Sequence, residues 1–170
     1  EVGGVPEIAW RFKTPIGTIE RIRMWEEQTY AWGMKTWGLK TEQDLKTLGY
    51  ALGNRTFAPK WDKYKAWTDY VGDTGVVYLS IGYSAMGYIM NYWMGVEQTM
   101  YAVCDWPETV HAVVDRINGN LLKLIDLAAT SPAEIVILGD NFSSDLQPPH
   151  FFAEWSRPYY TEAIRRLHKA

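Results

Sequence analysis

Two short apolar runs flanking a long amphipathic stretch dominate the second half of the chain and restrict its folds more than any other feature. Val76-Val77-Tyr78-Leu79-Ser80-Ile81 and Glu134-Ile135-Val136-Ile137-Leu138-Gly139 carry too few polar side chains for strands with one wet face. Each predicts a strand buried on both sides, as in a parallel sheet. Between them Asp105-Trp106-Pro107 opens the clearest helix of the chain. Val110, Val113, Val114, Ile117, Leu121, Leu124, Ile125 and Ala128 hold one face of it through about 24 residues, roughly 35 Å of helix. Asp115, Arg116, Asn120 and Lys123 hold the other face, and Ser131-Pro132 ends the helix. Gly82-Tyr83-Ser84 turns the chain out of the first strand, and helical material then runs to about Cys104 with a break at Gly95. A last helix starts at Pro148, bears the stripe Phe152, Trp155, Tyr159, Ala163 and Leu167, and is kinked or split by Pro158. Strand, helix, strand, helix means α/β.

The first half reads differently. Ile8, Trp10 and Phe12 alternate with Glu7, Arg11 and Lys13, the period of a half-buried strand. Thr14-Pro15-Ile16-Gly17 suits a type I turn, so Thr18 to Trp25 returns as the partner, with a third strand from Thr29 to Trp37. Thr41 and Asp44 have capping-box spacing at the start of a short helix through Leu45 and Leu48, which Gly53-Asn54 ends. Pro59 through Tyr70 predicts another helix, with a ragged apolar face of Trp61, Tyr64, Ala66 and Trp67, stopped by Gly72. The organisation expected is one domain: residues 1–38 a β-meander, 39–74 a helical connection, and 75–170 two strand-helix units.

Composition excludes several classes. The 170 residues carry 17 Lys+Arg against 20 Asp+Glu, a net charge of −3, which gives no electrostatic case for nucleic acid. At 47% hydrophobic residues the chain has material for a substantial core, which excludes intrinsic disorder. A single cysteine, Cys104, forbids an intrachain disulfide; with no signal-like N-terminus, a cytoplasmic location is expected. Thr74 to Val96 has no charge and is long enough to span a bilayer, but Gly82, Ser84, Gly87 and Asn91 interrupt it, and a soluble strand-loop-helix reading fits better.

Two parallel strands make no stable sheet alone, and a closed eight-stranded barrel needs about 250 residues. The architecture expected is therefore a partial TIM (β/α)8 barrel with an N-terminal hairpin or meander. A doubly wound open sheet is the alternative, and it places sites at the same strand ends. Arg165, Arg166, His168 and Lys169 form a basic last turn of the kind that precedes a further loop and strand, so the expectation is a fragment of a longer protein.

The run Ile135-Val136-Ile137-Leu138-Gly139-Asp140-Asn141, followed by Ser143-Ser144-Asp145-Leu146 and Pro158-Tyr159-Tyr160, resembles the uroporphyrinogen decarboxylase family. So do Thr14-Pro15-Ile16-Gly17-Thr18, Trp93-Met94-Gly95 and Trp106-Pro107-Glu108, in the same order along the chain. The resemblance implies a TIM-barrel enzyme that either decarboxylates a tetrapyrrole without metal or coenzyme, or moves methyl groups between a corrinoid protein and a zinc-activated thiol. The arginine-bearing N-terminal motif of true decarboxylases has no counterpart before Glu1, and the zinc-binding His and Cys positions of the methyltransferases lie beyond the point matching Ala170. The resemblance thus implies no cofactor within this chain, with zinc and a corrinoid expected of the full-length protein if it is methyltransferase-like. Methyl transfer is slightly favoured, because Arg is scarce near the two strand ends where a polycarboxylate would want bidentate cations.

In barrels the chemistry sits at the C-terminal ends of strands, here Gly82-Tyr83-Ser84 and Gly139-Asp140-Asn141. Asp140 and Asn141 are the catalytic candidates. Asp140 is either an acceptor for pyrrole N–H groups, an acid or base if burial raises its pKa, or an Asx-type turn residue. Asn141, at the position that the resemblance implies faces ligand, is either a donor or acceptor beside Asp140 or again a turn residue. Tyr83, Ser84 and Tyr88 are the substrate-binding candidates, offering hydroxyls and flat apolar surface, with core packing as the alternative for the aromatic residues. His111, His150 and His168 have no metal-ligand spacing and read as solvated; Cys104 reads as a small buried residue. The partners expected are a tetrapyrrole or a corrinoid protein, with no nucleic acid and no membrane. The competing function is a non-catalytic binding or assembly module, and a partial barrel's open faces predict self-association or pairing with its missing half. The fragment alone is expected to be inactive.

Overall fold

The alternation at the N-terminus builds an antiparallel meander of Glu7–Thr14 (β1), Gly17–Glu26 (β2) and Ala31–Thr36 (β3), with β2 in the centre. Trp10 stands opposite Arg21 and Phe12 opposite Ile19, and the register shifts by a bulge at Ile22/Arg23. The computed structural model describes residues 4–140 and 143–169. Its contacts divide them into two units, one of Glu1–Asn54 with Tyr88–Ile117 and one of Arg55–Gly87 with Asn118–Ala170.

In the first unit, Glu42–Gly53 (α1) starts as its sequence predicts. Thr41 Oγ1 accepts from the Asp44 N–H at 3.2 Å, and the Asp44 carboxylate accepts from the N–H groups of Lys40 and Thr41, each at 3.0 Å. This reciprocal box satisfies donors that a helix start otherwise leaves bare. Leu45, Leu48 and Leu52 form its buried side. Ala85–Tyr88 (α3), of which only Tyr88 belongs to this unit, runs into a π-helical segment, Ile89–Met94, which Gly95 ends at a φ of 81° before Val96–Asp105 (α4). Within that segment Trp93 stacks on Phe12 with ring centres 4.9 Å apart, and its carbonyl accepts from both Gly38 and Leu39 at 2.9 and 3.0 Å. A Cβ at Gly38 would fall 2.7 Å from the Trp93 ring, so this approach requires glycine. Pro107–Ala129 (α5) belongs to this unit up to Ile117, where it buries Val110, Val113, Val114 and Ile117, and to the second unit from Asn118, where it buries Leu121, Ile125 and Ala128.

In the second unit, Leu79–Gly82 (β4) and Val136–Leu138 (β5) pair in parallel, Leu79 beside Val136 and Ser80 beside Ile137. Among the described residues this sheet has two strands and no closed barrel. The expectation of strands buried on both faces is corrected here. Leu79, Ile81, Val136 and Leu138 are half-buried, whereas Tyr78, Ile135 and Ile137 are 53%, 45% and 42% exposed. An all-apolar run reports residue type, and a second cover needs neighbours that two strands do not supply. Trp61–Val71 (α2) buries no residue and is tied to the strand region by the Tyr64 hydroxyl, which donates to the Val77 carbonyl at 3.0 Å. Pro149–Trp155 (α6) and Arg157–Leu167 (α7) are split at Ser156, as Pro158 predicts.

Three further expectations change. Phe151, rather than Phe152, is the buried aromatic at the start of α6. Asn120 is not on a wet face: it is 3% exposed and its Nδ2 donates to the Arg55 carbonyl at 3.1 Å. Cys104 is exposed, because it lies on the outer side of α4 while Thr99 and Ala102 face inward. No helix among the described residues is long and apolar enough to cross a membrane.

Thr41→Ala removes one arm of the capping box and is expected to cost about 1 kcal/mol in urea unfolding. Ile117→Ala, at a fully buried position, is expected to cost about 2–5 kcal/mol by the same measurement.

Candidate functional site

The chemistry of the second unit gathers where β4 and β5 end. Gly82 leaves β4 with a φ of 87°, in the left-handed region that glycine occupies freely, and its carbonyl accepts from Gly139 N–H at 3.3 Å. The two strand ends are thereby side by side. Ser84 follows as the residue before α3, and its Oγ accepts from the Gly87 N–H at 3.1 Å, the contact of an N-capping side chain. From the end of β5, Asp140 reaches the same helix start. Its Oδ1 accepts from the Ser84 N–H at 2.8 Å and its Oδ2 from the Ser84 hydroxyl at 2.5 Å. Asn118 on α5 supplies another acceptor, its Oδ1 taking the Ala85 N–H at 2.9 Å. The bare donors at the start of α3 are thus shared among Asp140, Asn118 and Ser84.

Close approach of the carboxylate depends on Gly87. A Cβ there would lie 2.1 Å from Asp140 Oδ1, a distance that no real pair of atoms tolerates. Two other side chains reach the carboxylate from the C-terminal segment. The Tyr160 hydroxyl and the Gln147 amide both act on it, and Gln147 is itself fixed by the Ser156 hydroxyl, which donates to its Oε1 at 2.8 Å. Ser84, Gln147, Ser156 and Tyr160 are all buried.

Burial pushes the Asp140 carboxyl above its ordinary range, although hydrogen bonds from Ser84, Tyr160 and Gln147 pull the other way. Desolvation penalises the anion by more than these donors return. Tyr160 moves in the same direction: burial first, and then the neighbouring Asp140 charge, drive its hydroxyl far above the usual tyrosine range. Each group therefore holds its proton more firmly than a solvent-exposed group of the same type.

The structure brings together Asp140 and Ser84 of the sequence-predicted residues, in donor and acceptor roles that the sequence did not specify. Ser84 is fully buried with its hydroxyl engaged, so it fixes the carboxylate rather than lining an open wall. Tyr83 is half-buried beside it in the chain. Tyr88 belongs to the first unit, where its ring lies 5.7 Å from that of Tyr92. Asn141 lies outside the described residues. Asn118, Gln147, Ser156 and Tyr160 were not anticipated as part of the cluster. One signal existed: Asn118-Gly119-Asn120 are poor helix formers in mid-helix, and both asparagines bond to backbone outside α5. Among the described residues no three His, Cys, Asp or Glu side chains come together as a metal site.

Parallel strands followed by helices, with buried ionisable groups converging at the strand ends, have the arrangement in which α/β folds place their ligand sites. The family model for uroporphyrinogen decarboxylase (URO-D) matches residues 82–170, just over half of the chain, and the chain belongs to that family. Membership points to an enzyme of the decarboxylase or methyltransferase-like kind. The matched span contains Ser84, Gly87, Asn118, Asp140, Gln147 and Tyr160 and leaves the meander outside it. No curated protein and no solved structure matches the chain.

Because the folded-state pKa of Asp140 is raised, its contribution to stability is fully present below the unfolded value, about 3.9, and is lost as pH rises through the folded value. Asp140→Asn is expected to remove that decline, so chemical unfolding from pH 4 upward should show wild type losing stability relative to the variant. Gly87→Ala is expected to displace Asp140 and cost about 1–3 kcal/mol, checked by the same unfolding experiment.

Proposed function

We propose that this chain is part of an enzyme acting on a tetrapyrrole or a corrinoid-linked substrate, with methyl transfer favoured over decarboxylation. The observation that carries the reading is the half-buried Asp140 carboxyl with its raised pKa, placed at the strand ends and backed by Tyr160. On this reading Asp140 presents a carboxylate oxygen to the ligand and holds or accepts a proton there, while Ser84 and Gln147 fix its plane. Tyr83, on the turn before Ser84, supplies aromatic surface to a flat macrocycle. The preference for methyl transfer is supported by the side chains themselves: Gly82-Tyr83-Ser84 and Gly139-Asp140 contain no Arg or Lys to grip a polycarboxylate. Methyl transfer calls for zinc and a corrinoid partner, and neither is assigned to a residue of this chain.

The test uses the nine tryptophans as reporters. Titration with methylcobalamin is expected to quench their fluorescence saturably, and Asp140→Asn should weaken binding about tenfold, equivalent to roughly 1.4 kcal/mol. Uroporphyrin binding more tightly than methylcobalamin would reverse the preference, and binding of neither would sink the enzymatic reading of the strand ends.

A second reading, self-association as an assembly module, is favoured by one observation. Trp67 and Tyr70 on α2 are 61% and 83% exposed, in addition to the open face of the β4/β5 sheet. Apolar surface of this kind promotes contact between chains. Light scattering is expected to give a mass above that of one 19.6 kDa chain, and a monodisperse monomer would discard this reading.

A further inference from the structure

Arg21 and Arg23 lie two residues apart on β2 and so share one face of the meander. The Arg21 guanidinium is crowded by rings, its central carbon 4.5 Å from the centre of Trp10 and 5.0 Å from those of Tyr92 and Trp93. Its Nη1 donates to the Tyr92 carbonyl at 2.9 Å, and Arg23 Nη2 donates to the Trp32 carbonyl. Beyond these contacts the two side chains have no acceptor among the described residues. Neither forms an ion pair among the described residues, and the Nε of each is buried without a partner. Three other arginines are ion-paired: Arg11 with Glu20, Arg165 with Glu162, and Arg166 with both Glu162 and Asp126.

Two partly buried cations on one face repel, and the neighbouring Arg23 charge, after burial, depresses the pKa of Arg21. Stacked rings stabilise one guanidinium through its faces. They offer no acceptor in its plane, and they leave the second guanidinium unexplained. Among the described residues the two guanidiniums thus have no counter-anion.

We infer that Arg21 and Arg23 form a binding site for a small organic carboxylate, with the rings of Trp10 and Tyr92 forming its walls. A carboxylate is planar and matches a guanidinium edge with two parallel hydrogen bonds. A tetrahedral phosphate places oxygens out of that plane, where the rings already stand. The site uses residues of the first unit only and does not depend on the reading of Asp140.

The experiment is thermal unfolding of the full chain, followed by tryptophan fluorescence, in citrate, inorganic phosphate or chloride at equal ionic strength. Citrate is expected to raise the wild-type midpoint saturably by about 2–4 °C, and phosphate by less than half as much. Arg23→Gln should abolish the citrate response, read as the difference between its own midpoints in citrate and in chloride. Arg11→Gln should keep the full response. Should Arg23→Gln not fold, Arg23→Lys retains the charge without the bidentate edge and is expected to weaken the response several-fold. No saturable citrate effect, equal effects of citrate and phosphate, or an undiminished response in the Arg23 variant would each overturn the assignment. Poly-glutamate reproducing the whole effect would give the carboxylate to a protein partner and overturn the small-ligand class.

Discussion

The contact between the Asp140 carboxylate and the start of α3 is the constraint on which the second unit turns. β4 and β5 are four and three residues long, and their ladder alone contributes few hydrogen bonds. What fixes the strand ends against each other is a charge-bearing side chain from one strand receiving the N–H and hydroxyl that follow the other. Such bonds to an ionised acceptor are stronger than neutral ones. They do not fully offset the loss of water around the carboxylate, which is why its pKa rises even with several donors around it.

Two carboxylates of the same unit show how environment divides structure from chemistry. Glu162 stands in solvent between Arg165 and Arg166, and hydrogen bonds from these guanidiniums hold its pKa down to about 2. It is an ordinary ionised surface partner, screened and adaptable. Among the described residues Asp140 has neutral donors and no cation acting on it, and burial drives it the opposite way. Burial favours the protonated carboxyl in the second kind of surroundings, and neighbouring cations favour the anion in the first.

Features encoded by neighbours in sequence were legible. The period of two in Ile8, Trp10 and Phe12, the box formed by Thr41 and Asp44, and the apolar stripe from Val110 to Ala128 each depend on residues within a few positions of one another. Asp140 was legible by its place after an apolar strand. Its surroundings were not, since Ser84, Gln147 and Tyr160 come from three separate segments and nothing local announces their convergence. The exposure of Ile135 and Ile137 escaped for a related reason: hydrophobic content does not count how many strands will lie alongside. Cys104 failed by rotation alone, because α4 turns that position outward.

Gly87 makes two distant positions into one. The space its missing side chain leaves is filled by the Asp140 carboxylate, so a methyl group at position 87 and a carboxylate at position 140 exclude each other. Drift at either position is therefore conditional on the other: a bulkier residue at 87 becomes admissible only after 140 has shortened, and shortening 140 first unties the start of α3. Any route of sequence change through this pair must cross a less stable intermediate. The strand ends are thus held in place by the shape of the mutational landscape as well as by their hydrogen bonds.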